Sequence, residues 1–207
     1  MISRLIFASF AATKFCSSTS EMTEDLSVAS PGSVIWNTAS TQADLGWYAL
    51  DDGVMGGVSK TNLPPGTKFT GDWNGHVSTA NNGGFAGIRT RVFSPLIDAS
   101  SCGGFLLSVI GDGQRYKFVA RDNVAWDGVA WSTSFDTTAG EQIEVKVPFN
   151  KLIPTRRAST VKSAAPLNTG GLTDVQMTIS KFEYDGGLNP SFKEGPFRLE
   201  LKQISLF

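Results

Sequence analysis

A chain of 207 residues that is 41% apolar and 18% charged has enough hydrophobic material for one domain with a full core, and two independent domains would be a squeeze. Its formal net charge of −1 provides no global positive field to collect nucleic acid or anionic membrane, which argues against both as direct partners. Every apolar run falls well short of the roughly 18 residues needed to cross a bilayer, so a soluble protein is expected.

In chain order, residues 1–20 come first. They hold Arg4, Lys14 and seven Ser or Thr, and the first carboxylate is Glu21. Ile2, Leu5, Ile6 and Phe10 would line one side of a helix, the basic amphipathic pattern of an organelle presequence. The competing readings are a short secretory stretch from Leu5 to Ala12, as in a bipartite plastid leader, and a tail with no address. Residues 21–31 are polar and linker-like, so the expected division is a leader and linker over 1–30 and one domain over 31–207.

Beyond Pro31 the apolar period is two. Ile143, Val145, Val147 and Phe149 alternate with Gln142, Glu144 and Lys146; Val175, Met177 and Ile179 alternate with Gln176, Thr178 and Ser180; Phe197, Leu199 and Leu201 alternate with Arg198, Glu200 and Lys202. These are half-buried strands. Two further runs between Gly104 and Arg121 flank Gly111-Asp112-Gly113, a turn signal that predicts an antiparallel hairpin. From Leu201 to Ile204 the apolar parity slips, as at a β-bulge, and the chain ends inside a strand. No amphipathic helix follows the leader. The expected fold is therefore all-β, a two-sheet jelly-roll sandwich of eight or more strands.

Candidate site chemistry concentrates at Asp51-Asp52-Gly53-Val54-Met55-Gly56-Gly57-Val58-Ser59. Glycines allow positive φ and close backbone approach, and Asp side chains can bind nearby amides. The spacing is not that of a phosphate loop, which needs Gly-Lys-Ser/Thr ahead of a helix. Two readings stand. In one, Asp51, Asp52, Met55, Gly56, Gly57 and Ser59 form a recognition loop whose methionine adapts to a partner surface; in the other, the loop folds back and its carboxylates cap its own backbone. Calcium is a lesser reading, because no regular acidic spacing completes the site. Asn82, Gly83 and Gly84 lead into a strand carrying Arg89 and Arg91 on one face. These two arginines either pair with Asp51 and Asp52 or bind an acidic partner or a sugar.

Five tryptophans, Trp36, Trp47, Trp73, Trp126 and Trp131, serve either as sugar platforms or as core, with Trp126 and Trp131 in the most loop-like stretch. Between Glu144 and Asp174 there is no acid, while Lys146, Lys151, Arg156, Arg157 and Lys162 make a basic patch, with an irregular loop expected from Pro154 to Pro166. Cys16 and Cys102 form no C-x-x-C, and His76 is the only histidine. Structural zinc, a thiol redox motif and a Ser-His-Asp or Cys-His nucleophile are all poorly supported, so no enzyme is expected.

The string from Asp52 to Ser59 belongs to a longer pattern: Asn82-Gly83-Gly84-Phe85 followed by Arg89, then Gly111-Asp112-Gly113-Gln114-Arg115-Tyr116. Val147-Pro148-Phe149 leading to Pro154 and Arg156 comes next, and Gly195-Pro196-Phe197 opens the final strand to Ile204. In this the chain resembles the CIA30 family, the complex I intermediate-associated protein 30 domain, over nearly all of residues 31–207. The resemblance implies a galactose-binding-like β-sandwich and a non-catalytic, chaperone-like assembly factor that requires no cofactor. It implies assembly intermediates of NADH:ubiquinone oxidoreductase as partners, either membrane-arm subunits or other assembly factors. A mitochondrial address follows, with any membrane association made peripherally through the client. The residues expected at the recognition surface are those of the glycine loop, Asn82, Gly83, Gly84, Arg89, Arg91 and Arg115. Alternatives are a carbohydrate-binding module with a sugar ligand, or a photosystem assembly factor in a plastid; without a working leader the protein would be cytosolic.

Overall fold

The computed structural model describes residues 26–39 and 44–207, so the leader expected over residues 1–20 lies outside the described residues. One sheet runs in the order β13 (Ser159–Thr160), β12 (Ile153–Arg156), β10 (Ala130–Asp136), β9 (Arg115–Arg121), β14 (Asp174–Ser180), β6 (Phe85–Arg89) and β3 (Tyr48–Ala49). The other runs β11 (Gln142–Pro148), β8 (Gly104–Ile110), β15 (Gly195–Leu206), β5 (Asp72–Val77) and β4 (Lys60–Thr61), with β2 (Val34–Asn37) also pairing with β15. All these pairings are antiparallel. Residues Leu26–Val28, read from the sequence as linker, form β1 in parallel register with β7 (Leu96–Asp98).

The period-two runs are strands β11, β14 and β15, as their alternation requires. Their apolar sides fill the space between the sheets, where Phe105, Leu107, Val109, Leu199 and Leu201 meet Ile88, Tyr116, Phe118, Met177 and Ile179. The parity slip near the C-terminus is a bulge at Lys202, where the β15–β8 register shifts between Leu201 and Gln203. At the same point the other edge of β15 passes from β5 to β2. Helical structure among the described residues is confined to short 3-10 turns.

Two expectations are corrected. Gly111-Asp112-Gly113 does not close a hairpin: β8 pairs with β11 and β15, whereas β9 pairs with β10 and β14 in the opposite sheet. Each run puts its fully buried large side chains on one face, Phe105, Leu107 and Val109 in β8 and Tyr116 and Phe118 in β9. An arch lays those faces on one another, as in the Phe105–Phe118 contact with ring centroids 4.8 Å apart, whereas a hairpin would leave them side by side. Asp112 holds the arch by accepting from the amides of Gln114 and Arg198, both at 3.0 Å. The second correction concerns residues 154–166, expected as an irregular loop. Their first part is the β12–β13 hairpin, turned at Arg157 and Ala158 with φ of 50° and 62°.

Tryptophan behaves mainly as core. Trp36 and Trp47 cluster on Phe69, Trp73 packs on Tyr116 and Phe197, and Trp131 is buried within β10. Only Trp126 is displayed, at 73% exposure.

Candidate functional site

The glycine-rich loop joins β3, an edge strand of one sheet, to β4, an edge strand of the other. Backbone at Asp51 is extended, with φ −104° and ψ 168°, and residues Asp52–Met55 then form a 3-10 turn that Gly56 ends in the left-handed region at φ 88°. Extended geometry sends the two adjacent carboxylates in different directions. That of Asp51 accepts from the Thr61 amide (2.8 Å), the Thr61 hydroxyl (2.7 Å) and the Gly87 amide (3.3 Å). That of Asp52 accepts from the Ser59 amide (2.9 Å), the Ser59 hydroxyl (2.6 Å), and the amides of Gly84 (2.7 Å) and Phe85 (3.3 Å). Ser59 Oγ in turn accepts from the Ser78 amide at 2.9 Å.

Asp52 is thus a buried knot, 0% exposed, tying the loop to the turn before β6. The glycines at 57 and 83 follow from it. A Cβ at Gly57 would lie 2.3 Å from Asp52 Cγ, and one at Gly83 would lie 2.4 Å from Asp52 Oδ2. Burial by itself would raise the Asp52 pKa, but the Ser59 hydroxyl and the three amides together hold it below the ordinary 3.8. A depressed folded-state pKa contributes stability that is complete above the unfolded value and fades as pH falls through the folded one. Urea unfolding should therefore show stability declining as the pH drops below about 4, and Asp52→Asn should flatten that part of the profile; an unchanged slope would assign the acid response to other carboxylates.

Several residues expected at the recognition surface therefore face inward. Asp51, Asp52 and Ser59 have their oxygens engaged within the loop and its neighbours, Gly57 and Gly83 make room for Asp52, and Gly84 donates its amide to it. The loop shows solvent three apolar side chains instead: Val54, Met55 and Val58 are 66%, 68% and 52% exposed. Met55 was expected there; Val54 and Val58 were not. Their signal was present, since an apolar residue set between glycines in a turn has no strand face on which to pack. Asn82 is exposed on the facing turn, and its neighbour Asn81 donates Nδ2 to the Gly56 carbonyl at 3.3 Å.

The arginines do not pair with Asp51 or Asp52, whose oxygens are already filled by nearer amides and hydroxyls. Arg89 makes a two-pronged ion pair with the buried Asp174, at 2.7 and 2.8 Å, and Arg121 reaches the same carboxylate at 3.1 Å. Burial, reinforced by the Arg89 charge, pulls the Arg121 guanidinium below its ordinary pKa. Arg91 is exposed, with its guanidinium over the Tyr48 ring at 4.9 Å. Arg115 lies two strands from β6 and is paired with Asp136 at 2.7 and 2.6 Å. In the basic patch, Arg157 pairs with Asp127. Among the described residues no group of three or more His, Cys, Asp or Glu converges on a metal-sized site.

Beside the loop, between β3 and β4, lies a cleft of about 1040 Å3 lined by Trp47, Tyr48, Lys60, Asn62, Pro64 and Arg91, among others.

Comparison with solved structures gives the family 11 carbohydrate-binding module of the cellulosomal cellulase Lic26A-Cel5E of Clostridium thermocellum, at TM-score 0.56 and 14% identity, covering 86% of this chain and 96% of that one. The family 11 module from Clostridium thermocellum in complex with a beta-1,3-1,4-mixed-linked tetrasaccharide aligns at TM-score 0.55 and 15% identity, over 81% and 91% of the two chains. An agarase aligns at TM-score 0.50 and 9% identity, over 83% of this chain and 26% of that one. At these identities the likeness concerns the fold, a galactose-binding-like sandwich. No curated protein matches the chain. The family model described as complex I intermediate-associated protein 30 matches residues 36–201, a span that contains the Asp52 knot, the Asp112 arch and nearly all of the two sheets. The chain is a member of the CIA30 family.

Proposed function

We propose that this protein is a non-catalytic assembly factor that captures intermediates of respiratory complex I, acting in the mitochondrion, with the Val54–Met55–Val58 tip as its principal contact. Family membership supports a role connected with complex I assembly. The observation that carries the choice of surface is the combination of exposed apolar side chains and a backbone pinned from within by Asp52. Three apolar side chains exposed within one five-residue stretch offer a client an apolar contact, and a rigid apolar tip binds at low ordering cost. Reversible capture of an exposed client surface would shield it until the next subunit displaces the factor. Sugar binding draws on one displayed tryptophan, Trp126, because the other four are core; the loop reading is preferred.

The test is affinity purification from a total cell extract that contains all organelles, with wild type beside Met55→Asp. The expected result is a loss of complex I membrane-arm subunits of at least about tenfold, read by quantitative mass spectrometry, with an unchanged Tm because Met55 is exposed. Equal capture by both proteins would remove the tip from the interface, and photosystem subunits in the wild-type eluate would reassign the client and the compartment.

A further inference from the structure

Among the strands that end the two sheets, β3, β4 and β13 have two residues each, whereas β11 has seven and pairs only with β8. The register carries on past Pro148 and Gly104, where the Phe149 amide donates to the Gly103 carbonyl at 3.0 Å. Amide direction alternates along an antiparallel ladder. Ile143, Val145 and Val147 therefore bond to β8, and the amides of Gln142, Glu144 and Lys146 point away from the sheet, where no acceptor among the described residues meets them. Pro148 takes the next outward position, at which its missing N–H costs the ladder nothing.

Side chains alternate along the same strand. Ile143 and Val145 are half-buried against the core, in line with the buried Val147, so the apolar row between the sheets stays partly open at this edge. On the other face Gln142, Glu144 and Lys146 are exposed. Glu144 makes no ion pair among the described residues. The Lys146 ammonium lies over the Phe207 ring, 4.1 Å from its centroid, and its flexible stem lets it turn to a facing carboxylate.

A long edge of unpaired amides is a template for another strand, and charges of one sign commonly guard such an edge. Here the signs are opposite and two residues apart, which makes the edge complementary to itself. In an antiparallel copy centred on Val145, each Glu144 lies opposite the partner's Lys146, Val145 lies beside the partner's Val145, and Ile143 lies beside the partner's Val147. The outward amides of Glu144 and Lys146 then meet the facing carbonyls, and the half-buried apolar row is covered. Centring on Glu144 or on Lys146 instead would set like charges face to face. We propose that this protein forms a symmetric dimer by antiparallel pairing of β11 with β11 of a second copy, in the register centred on Val145. The pairing closes on itself, since each copy gives the same edge. Because β4 ends the opposite side of that sheet, the Val54–Met55–Val58 tip of each copy stays uncovered, and the dimer presents two tips to a client.

The test is sedimentation velocity of the full chain from about 1 to 200 µM at low ionic strength. The expected result is a monomer–dimer equilibrium without larger species. Glu144→Lys and Lys146→Glu should each weaken the dimer at least about tenfold, because each sets like charges opposite one another at both symmetric positions. The double variant Glu144→Lys/Lys146→Glu should recover the wild-type affinity. Both side chains are exposed, and an unchanged Tm verifies the fold. Hydrogen exchange at the Glu144 and Lys146 amides should slow as the dimer fills. A monomer at every concentration, a dimer indifferent to the single changes, a double variant as weak as the singles, or unaltered exchange at those amides would each overturn the proposal. Met55→Asp should leave the dimer intact whether or not client capture is lost, so the dimer and the tip are judged separately; a dimer abolished by Met55→Asp would move the interface to the tip and overturn the β11 pairing.

Discussion

Asp174→Ala is expected to cost the fold about 3–5 kcal/mol, lowering Tm by roughly 6–20 °C for a chain of this size. Asp174 is fully buried at the start of β14, between the strands that carry Arg89 and Arg121. Its Oδ1 accepts from Arg89 Nε and Arg121 Nη1, and its Oδ2 accepts from Arg89 Nη2 and from the Thr173 hydroxyl at 3.0 Å. Every lone pair is aimed at a donor, and one negative charge serves two positive ones. Without the carboxylate, two guanidiniums would face each other out of water with nothing between them. The desolvation already spent on the arginines makes the loss far larger than the net worth of the ion pairs. Combining Asp174→Ala with Arg89→Met and Arg121→Leu should therefore recover most of the stability, since an apolar replacement removes the buried charges as well. Urea and thermal unfolding of both variants decide the matter: a single variant within about 1 kcal/mol of wild type would mean that water reaches the arginines.

The second large effect is expected at Asp52. Asp52→Ala should cost roughly 3–5 kcal/mol, because it strands the amides of Ser59, Gly84 and Phe85 and the Ser59 hydroxyl in a site closed to solvent. Asp52→Asn keeps the volume but turns an NH2 group toward other N–H donors, so most of the loss should remain. Ser59→Ala removes one hydrogen bond to the carboxylate and one from the Ser78 amide, and a loss of about 1–2 kcal/mol is expected. The loop tip should respond before the sheets do. Hydrogen exchange at Gly84 and Ser59 should rise in Asp52→Ala while amides in β14 stay protected. Uniform exchange across both regions would show that the knot and the core unfold as one unit.

The Asp52 result also separates shape from contact at the glycine loop. Loss of client binding by Asp52→Ala would follow from loss of the loop's conformation, whereas Met55→Asp leaves that conformation in place. The two variants together distinguish a residue that holds the surface from one that is the surface.

What could be read from the chain depended on the range of the interaction that decides it. Period two is a property of neighbouring residues, so β11, β14, β15 and their buried sides were legible, as was the bulge at Lys202 from its slipped parity. The position of the shaped loop was legible as well, because glycine and aspartate announce a turn wherever they occur together. The use of each aspartate was not. The partners of Asp52 include amides 32 and 33 residues away at Gly84 and Phe85, and no local rule states which amide will arrive. Arg89 illustrates the same limit: its parity with Arg91 was visible, but its counter-ion Asp174 lies 85 residues on, and Arg91 ended on an aromatic ring. Gly111-Asp112-Gly113 signalled a reversal correctly and a hairpin incorrectly, because a turn sequence sets the bend while packing of the flanking apolar faces chooses between lying alongside and lying across.

The sequence by itself therefore determined an all-β chain, its strand faces and the place of its glycine loop, since backbone sterics and apolar alternation act between near neighbours. Only the tertiary structure decided that Asp51 and Asp52 point inward, that Val54, Met55 and Val58 point out, and that Lys60, Arg91 and Trp47 share one cleft. Those outcomes depend on which distant donors and acceptors the two stacked sheets bring within reach.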